Sequence, residues 1–368
     1  MGEELLVLML ALLLTACGSA TPAASQPAAS VASLGSDWDQ LVAAANKEGK
    51  LALAAPNYDL WRKALETFSQ DYPGIRIEAT EFNSRDFWVR LASERKAGQY
   101  LWDLRVGGPD PQVFEARDAG SLDPVRPLLV LPEATDASKW FGGLDGLYAD
   151  KAKQILPVFV AEAGYVAYVN RDAVPKSALE TEEQLLDAKW QGKIAIQDPT
   201  GGAGLGSITT MLAAHGEQYL HDFLTKQKPV VTRDQRQLAE WAIRNRYPIG
   251  IGIVPTDLEQ FRTQGLQFNV QGLDIPRKLS MGSGGIQLIN RAPHPNATKL
   301  YVNWLMTAKA QATIAKMAGV NSRRLDVPPG NVDGVLDPKL IKEYVPHQSE
   351  ELLPLRQKAA EMAKALLQ

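Results

Sequence analysis

A chain of 368 residues with 39 Lys and Arg against 42 Asp and Glu carries a formal charge of -3, which excludes the strongly basic surface that nucleic acid or an anionic membrane demands of a partner. With 45% hydrophobic residues and a single cysteine, the chain is long enough for one large or two medium cores but has no thiol pair for a disulfide and no cysteine cluster for a metal. Its stability must come from apolar packing.

Residues 5–14 are ten consecutive apolar side chains. That run is too short to span roughly 30 Å of hydrocarbon and has the length of the apolar part of an export signal. It leads into Leu14-Thr15-Ala16-Cys17, which resembles the lipobox of bacterial lipoproteins, although Glu3 and Glu4 stand where such signals are basic. The expectation is a signal peptide over 1–16, Cys17 as the lipid anchor, and a flexible tether over 17–36. That tether is rich in Ser, Ala, Thr, Pro and Gln and has a reach of roughly 25 Å.

From Ser36 helix and strand signals alternate. Ser36 begins a helix that Gly49 stops, and 51–55 is a short apolar strand. A helix over 59–70 ends at Pro73-Gly74, after which Ile75, Ile77 and Ala79 alternate with Arg76 and Glu78 as a second strand. Ser84 caps a third helix to Lys96, and 102–106 is a third strand before Gly107-Gly108-Pro109-Asp110 and another helix. This is a βαβαβ unit, hence a mostly parallel sheet. A second series follows: strand 193–197, a glycine-rich loop 198–204, a helix 205–214, a helix 235–244, strand 249–253 and a helix from Thr256. The alternating Tyr and Val of 157–174 join the two series, and strand 285–289 with an amphipathic helix 296–306 returns to the first.

In open α/β sheets ligands bind beyond the carboxyl ends of the strands, where helix N-termini leave N–H groups free. In the first series those ends carry Asn57, Tyr58, Asn83, Ser84, Arg85 and Asp110; in the second they carry Thr200, Gly201, Thr256 and Asp257. Glu162 in the joining stretch, and Arg85 and Arg233 as cations for an acidic group, complete the expected ligand set. Catalytic patterns are missing. His215, His221, His294 and His347 show no i, i+4 spacing, Gly204-Leu205-Gly206-Ser207-Ile208 is no nucleophile elbow, and the 198–204 loop lacks the Gly-Lys-Ser/Thr ending of a nucleotide loop. His294, in Pro293-His294-Pro295-Asn296, reads as helix-entry chemistry. No catalytic residue, metal site or cofactor is expected. The other class is an envelope hydrolase using Asp110, Glu162 or Asp198 as acid or base, and a third is a ligand-sensing module.

The strings Ala45-Asn46-Lys47-Glu48-Gly49-Lys50-Leu51, Tyr72-Pro73-Gly74-Ile75, Gly164-Tyr165-Val166-Ala167-Tyr168-Val169-Asn170-Arg171, Trp190-Gln191-Gly192-Lys193-Ile194 and Ala292-Pro293-His294-Pro295-Asn296-Ala297 are similar, in order, to the extracellular solute-binding proteins of bacterial ABC importers. The branch resembled most contains the ferric-iron binding proteins and relatives for small organic solutes. The resemblance implies an α/β, two-lobed periplasmic-binding-protein fold of type II, each lobe a mostly parallel sheet flanked by helices, with the ligand in the cleft between lobes. It places lobe one at 37–158, lobe two at 159–271, the return to lobe one at 272–324, and a C-terminal segment 325–368 on lobe two. It implies a monomeric receptor, with an ABC permease in the membrane as partner. Ferric binders of the branch carry two adjacent tyrosines where this chain has Val254-Pro255-Thr256. Fe(III) through that pair is excluded, carboxylates elsewhere are the other ferric ligand set, and an organic or oxyanionic solute is the expectation.

Overall fold

The computed structural model describes residues 31–274, 277–332 and 334–367, with side chains from Ser36. The expected signal peptide, Cys17 and the tether up to residue 30 lie outside the described residues. Two units are distinguished, 1–40 and 41–368. The first helix, Val31–Glu48, begins five residues before Ser36, so the end of the expected tether is helical. No proline stands between Pro27 and the helix to oppose it. Gly49, at φ +68°, ends the helix where a side chain would be strained. No described helix is long and apolar enough to cross a membrane.

In chain order the strands are β1 (Lys50–Pro56), β2 (Arg76–Phe82), β3 (Leu104–Gly107), β4 (Leu122–Asp123), β5 (Glu162–Tyr165), β6 (Ala167–Asn170), β7 (Ile194–Gln197), β8 (Val230–Thr232), β9 (Ile249–Ile251), β10 (Val270–Gly272), β11 (Arg277–Ser280), β12 (Gly285–Ile289) and β13 (Tyr344–Val345). Among the described residues they form three sheets, ordered β2-β1-β3-β12-β4, β10-β6-β9-β7-β8 and β13-β11-β5. The strands read as βαβ units, β1 with β2 and β3, and β7 with β9, pair in parallel, and β8, which the sequence reading lacked, adds a parallel strand beside β7. The rest of each large sheet is antiparallel: β12 beside β3 and β4, β6 beside β9 and β10. The sheets are therefore mixed, because the strands that carry the chain between lobes enter from the opposite direction.

Both crossings run through the small sheet. Residues Val158 and Val160 bridge to Gly285 and Ser322, the chain enters β5 and then β6, and on the way back β10 leads to β11, which pairs antiparallel with β5. Tyr344 and Val345 add β13 beside β11. The final helix, Leu353–Leu366, buries Ala359 and Ala363 in the core of Ile194, Ile196, Ile208, Leu220 and Phe223.

The expected helix over 59–70 is broken. Its pieces are Asp59–Glu66 and Phe68–Asp71, and the Thr67 hydroxyl between them donates to Ala64 O at 2.6 Å. Such back-bonding competes with the helical ladder.

Candidate functional site

The register Pro56↔Phe82 sets the carboxyl ends of β1 and β2 level, and β3 ends beside them at Gly107. The helices that follow start at Asp59, Ser84 and Pro111. Two starts are fixed by their own side chains: Asn83 Oδ1 accepts the Asp86 N–H at 3.0 Å, and Asp110 Oδ1 accepts the Val113 N–H at 3.1 Å with Pro111 at the first helical position. Between these ends lies a cavity of about 450 Å³ lined by Asn57, Tyr58, Asn83, Ser84 and Asp110, with Arg105, Gly107, Gly108 and Ser283. Five of the expected ligand residues thus share one cavity.

Its floor is a charged relay. Arg105, in the otherwise apolar β3, is 5% exposed. Its Nη2 donates to Ser84 Oγ at 2.8 Å and its Nη1 to Gln287 Oε1 at 2.5 Å. Gln287 in turn donates to Gly107 O at 3.0 Å. The Ser84 hydroxyl donates to Asp110 Oδ2, which lies 3.6 Å from Arg105 Nη2. Burial lowers the guanidinium to about 10, the Asp110 charge opposing, so it stays protonated at neutral pH. It also lies 4.8 Å from the Trp88 ring centroid. On its other side is Gly107, where a Cβ would fall 2.5–2.7 Å from the guanidinium atoms. Gly107→Ala is accordingly expected to displace Arg105 and to cost about 1–3 kcal/mol in urea unfolding; an unchanged midpoint would show that the guanidinium has room to move.

Arg105 is the residue that sequence reasoning missed. The signal was one cation inside Leu104-Arg105-Val106. Arg85, nominated in its stead, is exposed and lines a separate groove with Trp88, Val89 and Glu115. One helical step beyond Ser84 turns a side chain by about 100° away from the cavity.

The other expected residues occupy different places. Thr200 bonds Asp198 Oδ1 through its N–H at 3.0 Å and its hydroxyl at 2.7 Å. Arg233, 90% exposed at its side chain, reaches Asp198 Oδ2 at 3.1 Å. Both lie in a hollow with Ala363, Lys364 and Leu367 of the C-terminal region. Gly201 precedes the helix Gly202–His215, its N–H on Asp198 O at 3.4 Å. Thr256 faces a groove of about 370 Å³ that includes Pro255, Glu259, Gly319, Gly330 and Asn331. Asp257 has a buried Oδ2 without a hydrogen-bond partner among the described residues, and burial raises its pKa. Glu162, in β5 opposite Ser280, is also raised by burial and lies close to Gly334. Asp110, Glu162 and Asp198 therefore sit in three separate surroundings; Asp110 accepts one bond at each oxygen, from Val113 N and from Ser84 Oγ, and a carboxylate has about four acceptor sites.

Comparison with known proteins places these features in a family. The model of the family described as bacterial extracellular solute-binding protein matches residues 63–248, half of the chain. Iron uptake protein A1 of Synechocystis is 21% identical over 262 residues, which are 66% of this chain and 67% of that protein. Among solved structures, iron-bound HitA of Pseudomonas aeruginosa aligns with a TM-score of 0.59 at 15% identity, covering 86% of this chain and 99% of its own. Trichodesmium IdiA (FutA), solved with iron and citrate ligands, aligns at 0.63 and 15% with the same coverage. These likenesses carry the two-lobed type II binding-protein fold. With the family model spanning half of its length, this chain belongs to the bacterial extracellular solute-binding proteins, the receptor class of ABC importers.

Proposed function

We propose that this protein is a lipid-anchored, monomeric receptor that captures a small organic or oxyanionic solute by lobe closure and delivers it to a membrane permease. Closure follows from differential affinity: a solute held by both lobes only in the closed form shifts the equilibrium by that difference. The two chain crossings through β5 and β11 supply the hinge. Cys17 would hold the receptor at the membrane, outside the described residues.

The observation that carries the choice of solute is Arg105. A cation buried in the cavity floor suits a group that accepts hydrogen bonds and opposes a bare Fe(III) ion. Val254-Pro255-Thr256 offers no phenolate, and among the described residues no three His, Cys, Asp or Glu side chains converge as a metal group. The relatives named for iron make a ferric citrate complex the competing cargo. A hydrolytic role for Asp110 has no partner to work with, since no second carboxylate lines its cavity among the described residues.

The test is a thermal-shift screen against amino acids, polyamines, phosphonates, sugars, thiamine-like compounds, ferric chloride and ferric citrate. A specific ligand at one hundred times its Kd adds about 2.7 kcal/mol of stability, so the melting temperature should rise with dose for an organic compound. A rise with the ferric arms alone would overturn the choice of solute. Turnover of a stabilising compound would favour an enzyme.

A further inference from the structure

The lobe-one cavity holds one cation and one anion side by side, and this balance narrows the solute class. We propose that the cavity selects a small zwitterion, an aminocarboxylate whose carboxylate meets Arg105 and whose protonated amine meets Asp110. This rests on the reading of the chain as a receptor for an organic solute.

The first observation is spare donor capacity. A guanidinium has five N–H groups, and two of those on Arg105 donate to protein acceptors among the described residues, Ser84 Oγ and Gln287 Oε1. The remaining donors belong to a side chain that lines the cavity. No Arg105 nitrogen is both buried and without a partner, and a carboxylate offers the spare N–H groups acceptors in the planar geometry that a guanidinium prefers.

The second observation is charge. Asp110 Oδ2, 3.6 Å from Arg105 Nη2, belongs to a side chain 21% exposed, against 7% for Arg105. The anion is thus the more accessible member of the pair. A simple carboxylate or phosphate entering the cavity meets Asp110 as a like charge, and a simple amine meets Arg105. A compound with both groups on adjacent atoms satisfies both, because its own charges are separated by a distance of the same order as the pair. The other carboxylates at these helix starts are engaged elsewhere: Asp59 pairs with Arg62 and Lys63, and Asp86 Oδ2 accepts from Asn83 Nδ2. The rim offers the exposed Asn57 and the 64% exposed Tyr58 ring, which suits a small polar body with a modest apolar part.

The experiment is isothermal titration of the full chain with a panel of α-amino acids, each beside its decarboxylated amine and its deaminated acid, together with glucose and ferric citrate. The expected result is binding of at least one amino acid, with both truncated analogues weaker by 100-fold or more. Asp110→Asn keeps a good helix cap and leaves Arg105 unbalanced. It should shift preference at least tenfold toward the deaminated acid, a change that loss of fold would not produce. Arg105→Gln should reverse that preference toward the amine. Equal binding of an amino acid and its truncated analogues, or no change of preference in Asp110→Asn, would overturn the proposal. Binding of glucose alone would overturn it while leaving the organic-solute reading intact. Ferric citrate alone, or no ligand of any class, would overturn both.

Discussion

Asp103→Ala is expected to lower the unfolding free energy by about 3–5 kcal/mol. Asp103 is fully buried just before β3, and its two oxygens accept three bonds at 2.7 Å: from Ala52 N in β1, from His294 N and from His294 Nδ1. Burial raises its pKa, while the bonds from Ala52 and His294 lower it. Removing the carboxylate strands two backbone donors and one imidazole N–H in a site with little access to water. It also releases the entry to the helix Pro295–Leu305, which covers the sheet that presents the cavity. Urea unfolding followed by tryptophan fluorescence gives the loss; a change below about 1 kcal/mol would mean that His294 and the Ala52 N–H find other partners.

Acid sensitivity should trace to His347. The ring is 6% exposed and its Nδ1 lies 3.2 Å from Arg356 Nη1. Burial, then the charges of Lys278 and Arg356, push it down to about 3. Gly206 packs against the ring, where a Cβ would come 2.9 Å from Cε1. In the unfolded chain the histidine titrates near its ordinary 6.5, so between about pH 6.5 and pH 3 the unfolded state holds more protons. Stability from this group is complete above 6.5 and is lost as pH falls toward 3, by an amount on the order of 5 kcal/mol. Glu182, pushed by burial up to about 6 beside His215 at 3.2 Å, acts with the opposite sign: its raised value favours the fold at low pH and loses that contribution as pH rises through 6. Lys278, lowered by burial to about 8 and donating to Ser207 at 3.0 Å, gains for the fold only as pH rises above 8. His347→Gln keeps an acceptor for Arg356 and removes the titration. The urea midpoint of this variant should fall less than that of the parent between pH 7 and pH 4; parallel curves would assign the acid loss to other groups.

Why some of this was legible in the sequence and some was not has physical causes. Strands β1 and β3 announced themselves through apolar runs and β2 through its alternation of apolar and charged residues, after Gly49, Gly98 and Pro73-Gly74, which cannot continue a helix without cost. The helix after Gly107-Gly108-Pro109-Asp110 was legible from that turn, whereas its start at Pro111 with Asp110 as the cap came from the structure. The break at Thr67 was not legible, because it turns on one hydroxyl choosing a carbonyl. The antiparallel return of β12 beside β3 comes after the chain has passed through β10 and β11, a path that no local pattern records. At the cavity, residues on three successive loops could be grouped because parallel strands end at one edge. Which neighbour on a loop faces inward could not: Ser84 points into the relay and Arg85 away from it. Arg105 was hidden for another reason, since a buried arginine declares itself only through partners such as Gln287, 182 residues later. The surroundings of Thr200 and Arg233 depend on the C-terminal helix Leu353–Leu366, whose partner surface no pattern in that segment specified.

The cavity above Arg105 is proposed to take an organic solute. The most direct measurement is mass spectrometry and metal analysis of what is released when the full chain, purified without refolding, is denatured. The expected release is a small organic compound near one equivalent per chain, carrying both an amine and a carboxylate, with iron far below one equivalent. Iron at one equivalent per chain, with no organic compound or with citrate alone, would contradict it.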